Sequence, residues 1–300
     1  MGLLDGRVAA ITGAGSGLGR EHALLLAAEG AQVVVNDLHG ADAVVEEIGS
    51  AGGTAVAVEG NVAEMATGER IVTAALASYG DLHVVVNNAG IVRDAMLWNM
   101  TEEQFDLVLD VHLKGAFALT RAAARHWRDE SKAGRSADRS IVNTTSAAGL
   151  HGNVGQWNYA AAKAGLATQA VVAAAELGRF GVRANAISPM ARTAMVATAG
   201  PLADAVAAPE TDGAFDRYHP GNVSPLVGYL ATAGCPFTGQ VLSVAGGHVG
   251  LYSGYSLGHA ENVDRVWSVA ELAELMGADT FPKSVEVERQ RLITPAAATR

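Results

Sequence analysis

The stretch Val8-Ala-Ala-Ile-Thr12, running on through Gly13-Ala-Gly-Ser-Gly-Leu-Gly19, decides the fold. An apolar run of strand length meets glycines at 13, 17 and 19, and residues 18–28 then have helical length and composition. Glycines at these places let a strand turn tightly into a helix while the backbone approaches a ligand. The N-terminus of that helix favours an anion, because its first N–H groups have no partner within the helix. Gly13, Ser16, Gly17, Leu18 and Gly19 are therefore candidates to hold the pyrophosphate of a dinucleotide.

Outward from this stretch, apolar β-rich runs alternate with longer helical segments. The runs are 8–12, 33–36, 55–59, 84–87, 140–144, 183–187 and 241–244, and segments such as 18–28, 41–50 and 69–79 lie between them. Near-continuous apolar strands separated by helices imply a parallel sheet covered on both faces. Right-handed crossovers make this an α/β, doubly wound Rossmann fold in one domain, with ligands at the carboxyl ends of the strands. Residues 1–247 make up that domain and 248–300 a C-terminal extension. Arg128 to Arg139 reads as a polar insert forming a surface loop, and Gly250 to Gly258 as irregular. Ser268-Val-Ala-Glu271 reads as a capping box opening a short helix through Leu272 and Leu275, with Gly277 as its stop.

Three hundred residues, 49% of them hydrophobic, can bury a full core. The formal net charge of −10 argues against nucleic acid or an anionic membrane as a general partner. One cysteine, Cys235, rules out an intrachain disulfide and a Cys-based zinc site; the nine histidines show no paired metal spacing, so no metal is expected. No run of 18 apolar residues reads as a spanning helix, the first six residues are too short for a signal sequence, and Ala-Ala-Thr-Arg300 is not a peroxisomal address. A cytoplasmic protein is expected.

Ser146, Tyr159 and Lys163 carry the chemistry: Ser146 stands thirteen residues before Tyr159, which opens Tyr-Ala-Ala-Ala-Lys163. A Tyr and a Lys four apart on a helix share a face. A phenol ionises near pH ~10 and is a poor base at neutrality. One positive charge at about 4 Å supplies roughly 4 kcal/mol at an effective dielectric of ~20, equivalent to ~3 pKa units. Lys163 can therefore activate Tyr159 as an acid/base, and Ser146 can hold a carbonyl oxygen against the phenol, a set suited to hydride transfer. Ser146 is not in a Gly-x-Ser-x-Gly elbow, so a hydrolase is disfavoured. Asp37, eighteen residues after Gly19 at the end of the second strand run, can accept the adenosine ribose hydroxyls and would repel a 2′-phosphate. No Arg or Lys follows within that turn, which points to NAD rather than NADP.

With Asn87-Asn88-Ala89-Gly90 and with Gly239-Gln240 before Val244-Ala245-Gly246-Gly247, these motifs make residues 6–247 resemble the short-chain dehydrogenase/reductase family. The resemblance implies that Asn61 and Val62 contact adenine, where many members carry Asp-Val. It implies that Asn88, Ala89 and Gly90 line the ribose side, that Ile187 to Thr193 cover the nicotinamide, and that Lys163 also binds its ribose. Ser188-Pro-Met-Ala-Arg-Thr193 departs from the family's usual Pro-Gly. At His112, in Val111-His-Leu-Lys-Gly115, the family usually places an Asn that holds a water connecting the lysine to solvent. An imidazole there can relay a proton, directly or through water, and ordinarily titrates between about pH 6 and 8. A plain structural histidine is the alternative.

Strings such as Val33-Val-Val-Asn-Asp-Leu38 and Gly152-Asn-Val-Gly-Gln-Trp-Asn-Tyr159 are similar to the (3R)-hydroxyacyl-CoA dehydrogenase group of the family. That implies a small-molecule substrate, an acyl-CoA or a steroid-like alcohol. The second string also resembles 3-oxoacyl-acyl-carrier-protein reductases, though Asp37 fits NADPH poorly; a catalytically silent dinucleotide-binding regulator is the alternative of another class. Arg121, Arg125 and Arg128 share a helix face that could take phosphates, a subunit contact or solvent. The family resemblance and the apolar helices around 105–124 and 159–177 imply a homo-oligomer, a tetramer.

Overall fold

The glycine-rich stretch joins a strand to a helix. In the computed structural model, β1 (Val8–Thr12) is buried along its whole length and leads through residues 13–16 into α1 (Gly17–Ala28). The structure describes residues 2–193, 204, 206–211, 213–254, 260 and 264–277. Two units are distinguished, Met1–Tyr252 and Ser253–Arg300.

In the first unit the chain continues through β2 (Gln32–Asp37), α2 (Ala41–Ser50), β3 (Thr54–Glu59), α3 (Met65–Tyr79) and β4 (Val84–Asn87). It then forms α4 (Glu102–Leu109), a π-helical turn at Asp110–Lys114, α5 (Gly115–Lys132), β5 (Arg139–Thr144), α6 (Ala147–His151) and α7 (Trp157–Leu177). β6 (Val182–Pro189), α8 (Ser224–Ala231), β7 (Val241–Ala245) and β8 (His248–Leu251) follow. The strands form one sheet in the order β3-β2-β1-β4-β5-β6-β7-β8, parallel except for the antiparallel β7–β8 pair. Valine runs such as 33–35 and 84–86 suit strands buried on both faces. One core layer joins Ile11, Leu26, Val35, Ile48 and Leu230 under α1, α2 and α8. The other joins Ile71, Leu82, Leu119, Trp127 and Ile141 under α3 and α5. The Trp127 indole keeps its hydrogen bond by donating to Leu82 O at 2.7 Å.

Two ends of the sheet differ in chemistry. At the amino ends, Asp81 meets Arg139 and His126, while Asp138 meets Arg7 and Arg183. These contacts fasten the start of β1, β5 and β6. At the carboxyl ends the strand order reverses between β1 and β4, which opens the crevice where ligands of such sheets bind.

Three local readings change. Residues 128–139 are not a loop throughout: α5 continues to Lys132, and Arg139 opens β5, 1% exposed. Straight-chain polar residues are good helix formers, and Arg139 stays buried because Asp81 pairs with it. Gly250 and Leu251 are not irregular, since β8 pairs with β7 from Ala245↔His248 to Leu242↔Leu251. The turn at Asp110–Lys114 is π-helical, a form seen mostly as single turns at functional sites.

In the second unit, α9 (Val269–Gly277) starts with the expected box. Ser268 N donates to Glu271 Oε2 at 2.9 Å, and Glu271 N donates to Ser268 Oγ at 3.2 Å. The Arg265 guanidinium and these bonds hold the Glu271 carboxyl down to about 2. Among the described residues no helix is long and apolar enough to cross a membrane.

Candidate active site

The crevice between β1 and β4 is built by backbone and small side chains. Asn88 Nδ2 donates to Thr12 O and Gly13 O at 3.1 and 3.2 Å, and the N–H groups of Asn88 and Ala89 both donate to Thr12 Oγ1 at 3.1 Å. These bonds bring the glycine-rich turn and the Asn88–Gly90 segment to one wall. At Gly19 a Cβ would lie 2.0 Å from Gly13 O, so only glycine permits this packing of helix on strand. Ser16 caps α1 with backbone alone, which leaves first-turn N–H groups facing outward for an anion.

Asp37 ends β2 with its carboxylate fixed. Oδ2 accepts from Gly15 N at 2.8 Å and Oδ1 from Leu38 N at 2.7 Å, with lone pairs left for a diol. Gly60 N donates to Asp37 O at 2.9 Å, so the Asn61–Val62 turn lies beside Asp37. Asn61 Oδ1 accepts from Ala63 N, and Val62 is buried. From the other side, Ile187 is buried near the end of β6, and the Thr193 Cγ2 stands 3.9 Å from where a Gly17 Cβ would be. These residues outline a cradle in which a nicotinamide dinucleotide fits: an anion-ready helix start, a carboxylate for a ribose and a wall of small residues. Two anchors of the far wall have no signal in the sequence. Met190 N donates to Val244 O at 2.9 Å, and Arg192 forms a bidentate pair with Asp216 while donating to Val206 O.

Ser146, Tyr159 and Lys163 converge beyond β5. Ser146 caps α6, its Oγ accepting from Ala148 N at 3.2 Å, and shares a hydrogen bond with the Tyr159 hydroxyl. Lys163 Nζ stands 5.5 Å from the Tyr159 ring centroid and donates to Thr144 O at 2.6 Å. Thr145 Oγ1 donates to Lys163 O at 2.6 Å, tying α7 to the end of β5. Burial raises the Tyr159 phenol, the bond with Ser146 lowers it, and the Asp94 carboxylate raises it. Burial pushes Lys163 down to about 7. When protonated, that ammonium beside the ring favours the phenolate over the phenol.

His112 lies in the π-helical turn, buried, its ring edge-on to Tyr159 at 5.3 Å between centroids. Its Nε2 is 2.8 Å from Ile91 O and 3.1 Å from Ile91 N. The shorter contact is to an acceptor, so the Nε2–H tautomer fits, which leaves a buried Nδ1 lone pair without a partner. Gly90 makes room for the ring, since a Cβ there would lie 2.4 Å from Cε1. Burial, and then the Lys163 charge, push this imidazole down to about 3. The expected titration between about pH 6 and 8 therefore does not apply to it. Among the described residues no cluster of three His, Cys, Asp or Glu is placed to hold a metal ion.

A Tyr–Lys pair with its lysine buried, beside a serine at the carboxyl edge of a doubly wound sheet with a dinucleotide cradle, defines a dehydrogenase. Residues 7–201 match the short chain dehydrogenase family, and the chain belongs to it: an oxidoreductase acting on CH–OH groups, of a family that typically binds NAD(P). It is 50% identical over 260 residues to a hydroxyacyl-CoA dehydrogenase, ChsB1, of Mycobacterium tuberculosis, covering 83% of this chain and 80% of that protein. It is 42% identical over 254 residues to the peroxisomal multifunctional enzyme type 2 of Drosophila melanogaster, covering 81% of this chain but 39% of that longer protein. A crystal structure of a short chain dehydrogenase from Mycobacterium avium superimposes with a TM-score of 0.83 at 46% identity, covering 92% of this chain and 95% of that one.

Proposed function

We propose that this chain is an NAD-dependent dehydrogenase interconverting a secondary alcohol and a ketone, with a 3-hydroxyacyl-CoA or a steroid-like alcohol as substrate. The observation that carries the reading is the convergence of Ser146, Tyr159 and Lys163 beside a cradle closed at one end by Asp37. In this reading Tyr159 exchanges a proton with the substrate oxygen, Ser146 orients that oxygen, and Lys163 holds the phenol in its working range and binds the nicotinamide ribose. The bound nicotinamide supplies the hydride acceptor or donor. Gly13, Ser16, Gly17, Leu18 and Gly19 would hold the pyrophosphate. Asn61, Val62, Asn88, Ala89, Gly90, Ile187 and Thr193 would line the remainder. The substrate class is supported by the 50% identity to a hydroxyacyl-CoA dehydrogenase. The test is a turnover screen of 3-hydroxyacyl-CoAs, steroid alcohols, acyl-carrier-protein thioesters and simple alcohols with NAD and NADP. Preferred reduction of the carrier-protein thioester with NADPH would overturn the assignment.

The cofactor preference has its own test. A 2′-phosphate would meet the Asp37 carboxylate at close range, so NAD should bind at least ~10-fold more tightly than NADP, a difference of about 1.4 kcal/mol. Asp37→Ala removes charge-assisted bonds to the ribose worth about 1.5–3 kcal/mol, so NAD should weaken ~10-fold or more while NADP does not. Equal affinities of the wild type for both, measured by fluorescence titration, would sink the preference.

His112 is read as a neutral relay beside Lys163. His112→Asn should keep substantial activity, because an amide can hold a relay water. His112→Ala should lose about 10- to 100-fold in kcat, below the ~10²–10⁴ of direct acid/base groups, with NAD affinity retained. Because this imidazole is neutral, neither variant should alter the pH profile near pH 6–7. Wild-type turnover in His112→Ala would leave it a structural histidine.

A cytoplasmic homotetramer is the assembly we propose. A groove of about 1000 Å³ lies on the outer faces of α5 and α7, lined by Phe117, Arg121, Arg125, Arg128, Val172 and Phe180, none of which belongs to the catalytic set. Phe117 and Val172 are 50% and 48% exposed there, surface that a second copy of this chain would cover. Light scattering should return four times the chain mass, and a monomer in dilute solution would contradict the proposal.

A further inference from the structure

We propose that Asn158 is a positioning residue, which holds the Tyr159 hydroxyl at Ser146 and Lys163 by bolting the first turn of α7 to the segment after β4 and to α4. The inference rests on the reading of Tyr159 as the acid/base.

α7 begins without a side-chain cap: its N-cap residue, Gln156, makes no capping bond. A helix start of this kind frays unless something else satisfies its first N–H groups. Asn158 does so from within the turn. Its Oδ1 accepts from Tyr159 N at 2.7 Å, the backbone of the catalytic residue itself. Its Nδ2 donates to Arg93 O at 3.0 Å and to Gln104 O at 2.9 Å. The side chain is 0% exposed. Two carbonyl partners on the nitrogen and one N–H on the oxygen fix the amide's orientation. Three segments therefore meet at one buried amide: the loop that leaves β4 past Gly90, the start of α4, and the turn that presents Tyr159.

A weaker brace runs alongside. Ala95 N donates to Gly155 O at 2.9 Å, Gln156 Nε2 donates to Asp94 Oδ2 at 3.0 Å, and Asn153 Nδ2 donates to Gln156 Oε1 at 3.0 Å. The two side-chain contacts are exposed, where competition with water makes each bond worth little. Asn158 is where the cost of loss concentrates, because its own side chain is buried and deleting its amide leaves two part-buried carbonyls and one N–H without this partner. Asn158 is itself enclosed by protein, 0% exposed. Its influence on the reaction passes through the position of Tyr159, and a displacement of about 1 Å at a reacting group can cost ~10²-fold.

The test is Asn158→Ala, with Asn158→Ser as the second variant should the first fail to fold. Either is expected to lose about 10- to 100-fold in kcat. NAD affinity by fluorescence titration should remain close to wild type. The rising limb of kcat with pH in the oxidative direction should move to higher pH, since a displaced phenol loses part of its ion pairing. In a Tyr159→Phe background, adding Asn158→Ala should cost nothing further in kcat, because the hydroxyl it positions is already gone. A lowered Tm with wild-type kcat and pH profile would make Asn158 merely structural and overturn the proposal. So would an equal further loss of rate in the Tyr159→Phe background. Wild-type turnover in Tyr159→Phe alone would instead overturn the reading of the catalytic set, a separate failure.

Discussion

Tyr159→Phe is expected to lose at least ~10²–10⁴-fold in kcat, the range for removal of a direct acid/base group. Only one oxygen goes, and the ring stays edge-on to His112 and near the Lys163 ammonium. Because that oxygen exchanges its proton as the hydride moves, the loss should appear equally in kcat and kcat/KM, the mark of an interaction made in the transition state. NAD affinity should be little changed. Stability near neutral pH should change little, because the phenol is protonated in the folded and unfolded chains alike and only its bond with Ser146 is lost. The measurement is steady-state turnover beside a cofactor titration and a thermal melt. Ordinary activity in this variant would require another acid.

The sequence made the fold legible because strand periodicity and glycine turns are local signals. The runs at 8–12 and 84–87 coincide with β1 and β4. β8 escaped because Gly250 and a short edge strand look like a turn until β7 lies alongside. The 128–139 stretch reads as a loop for a related reason: polar residues such as Arg128 and Glu130 cannot reveal, by type alone, that they continue a helix. Arg139 looked like loop surface because its partner, Asp81, is 58 residues away. In the candidate site, spacing brought Ser146, Tyr159 and Lys163 into view. Residues that act through backbone groups left no trace, since a carbonyl such as Thr144 O or Arg93 O has no letter of its own. Asn158, in the middle of a recognisable string, reads as filler until its amide is seen to join three segments.

The charge of Lys163 shows what such a site costs the fold. Lys163 is buried, its ammonium donates to Thr144 O at 2.6 Å, and burial holds it down to about 7. An unfolded chain keeps this proton up to about pH 10.4. Between pH 7 and that value the unfolded state binds more protons than the folded one, so stability rises with pH across the window. Below pH 7 the full penalty is present. Lys163→Met keeps the stem and removes the charge. The variant is therefore expected to melt several degrees higher than wild type at pH 6, an advantage that shrinks steadily and is gone near pH ~10. The same substitution should lower kcat by ~10²-fold or more, because the phenol then keeps only the help of Ser146 against its burial. NAD should also bind more weakly if Lys163 holds the ribose. Thermal melts across pH 6–10 with matched turnover assays decide the matter. A melting difference that is flat with pH would mean that Lys163 is not carried as a buried, strained base, and the account of Tyr159 activation would lose its electrostatic footing.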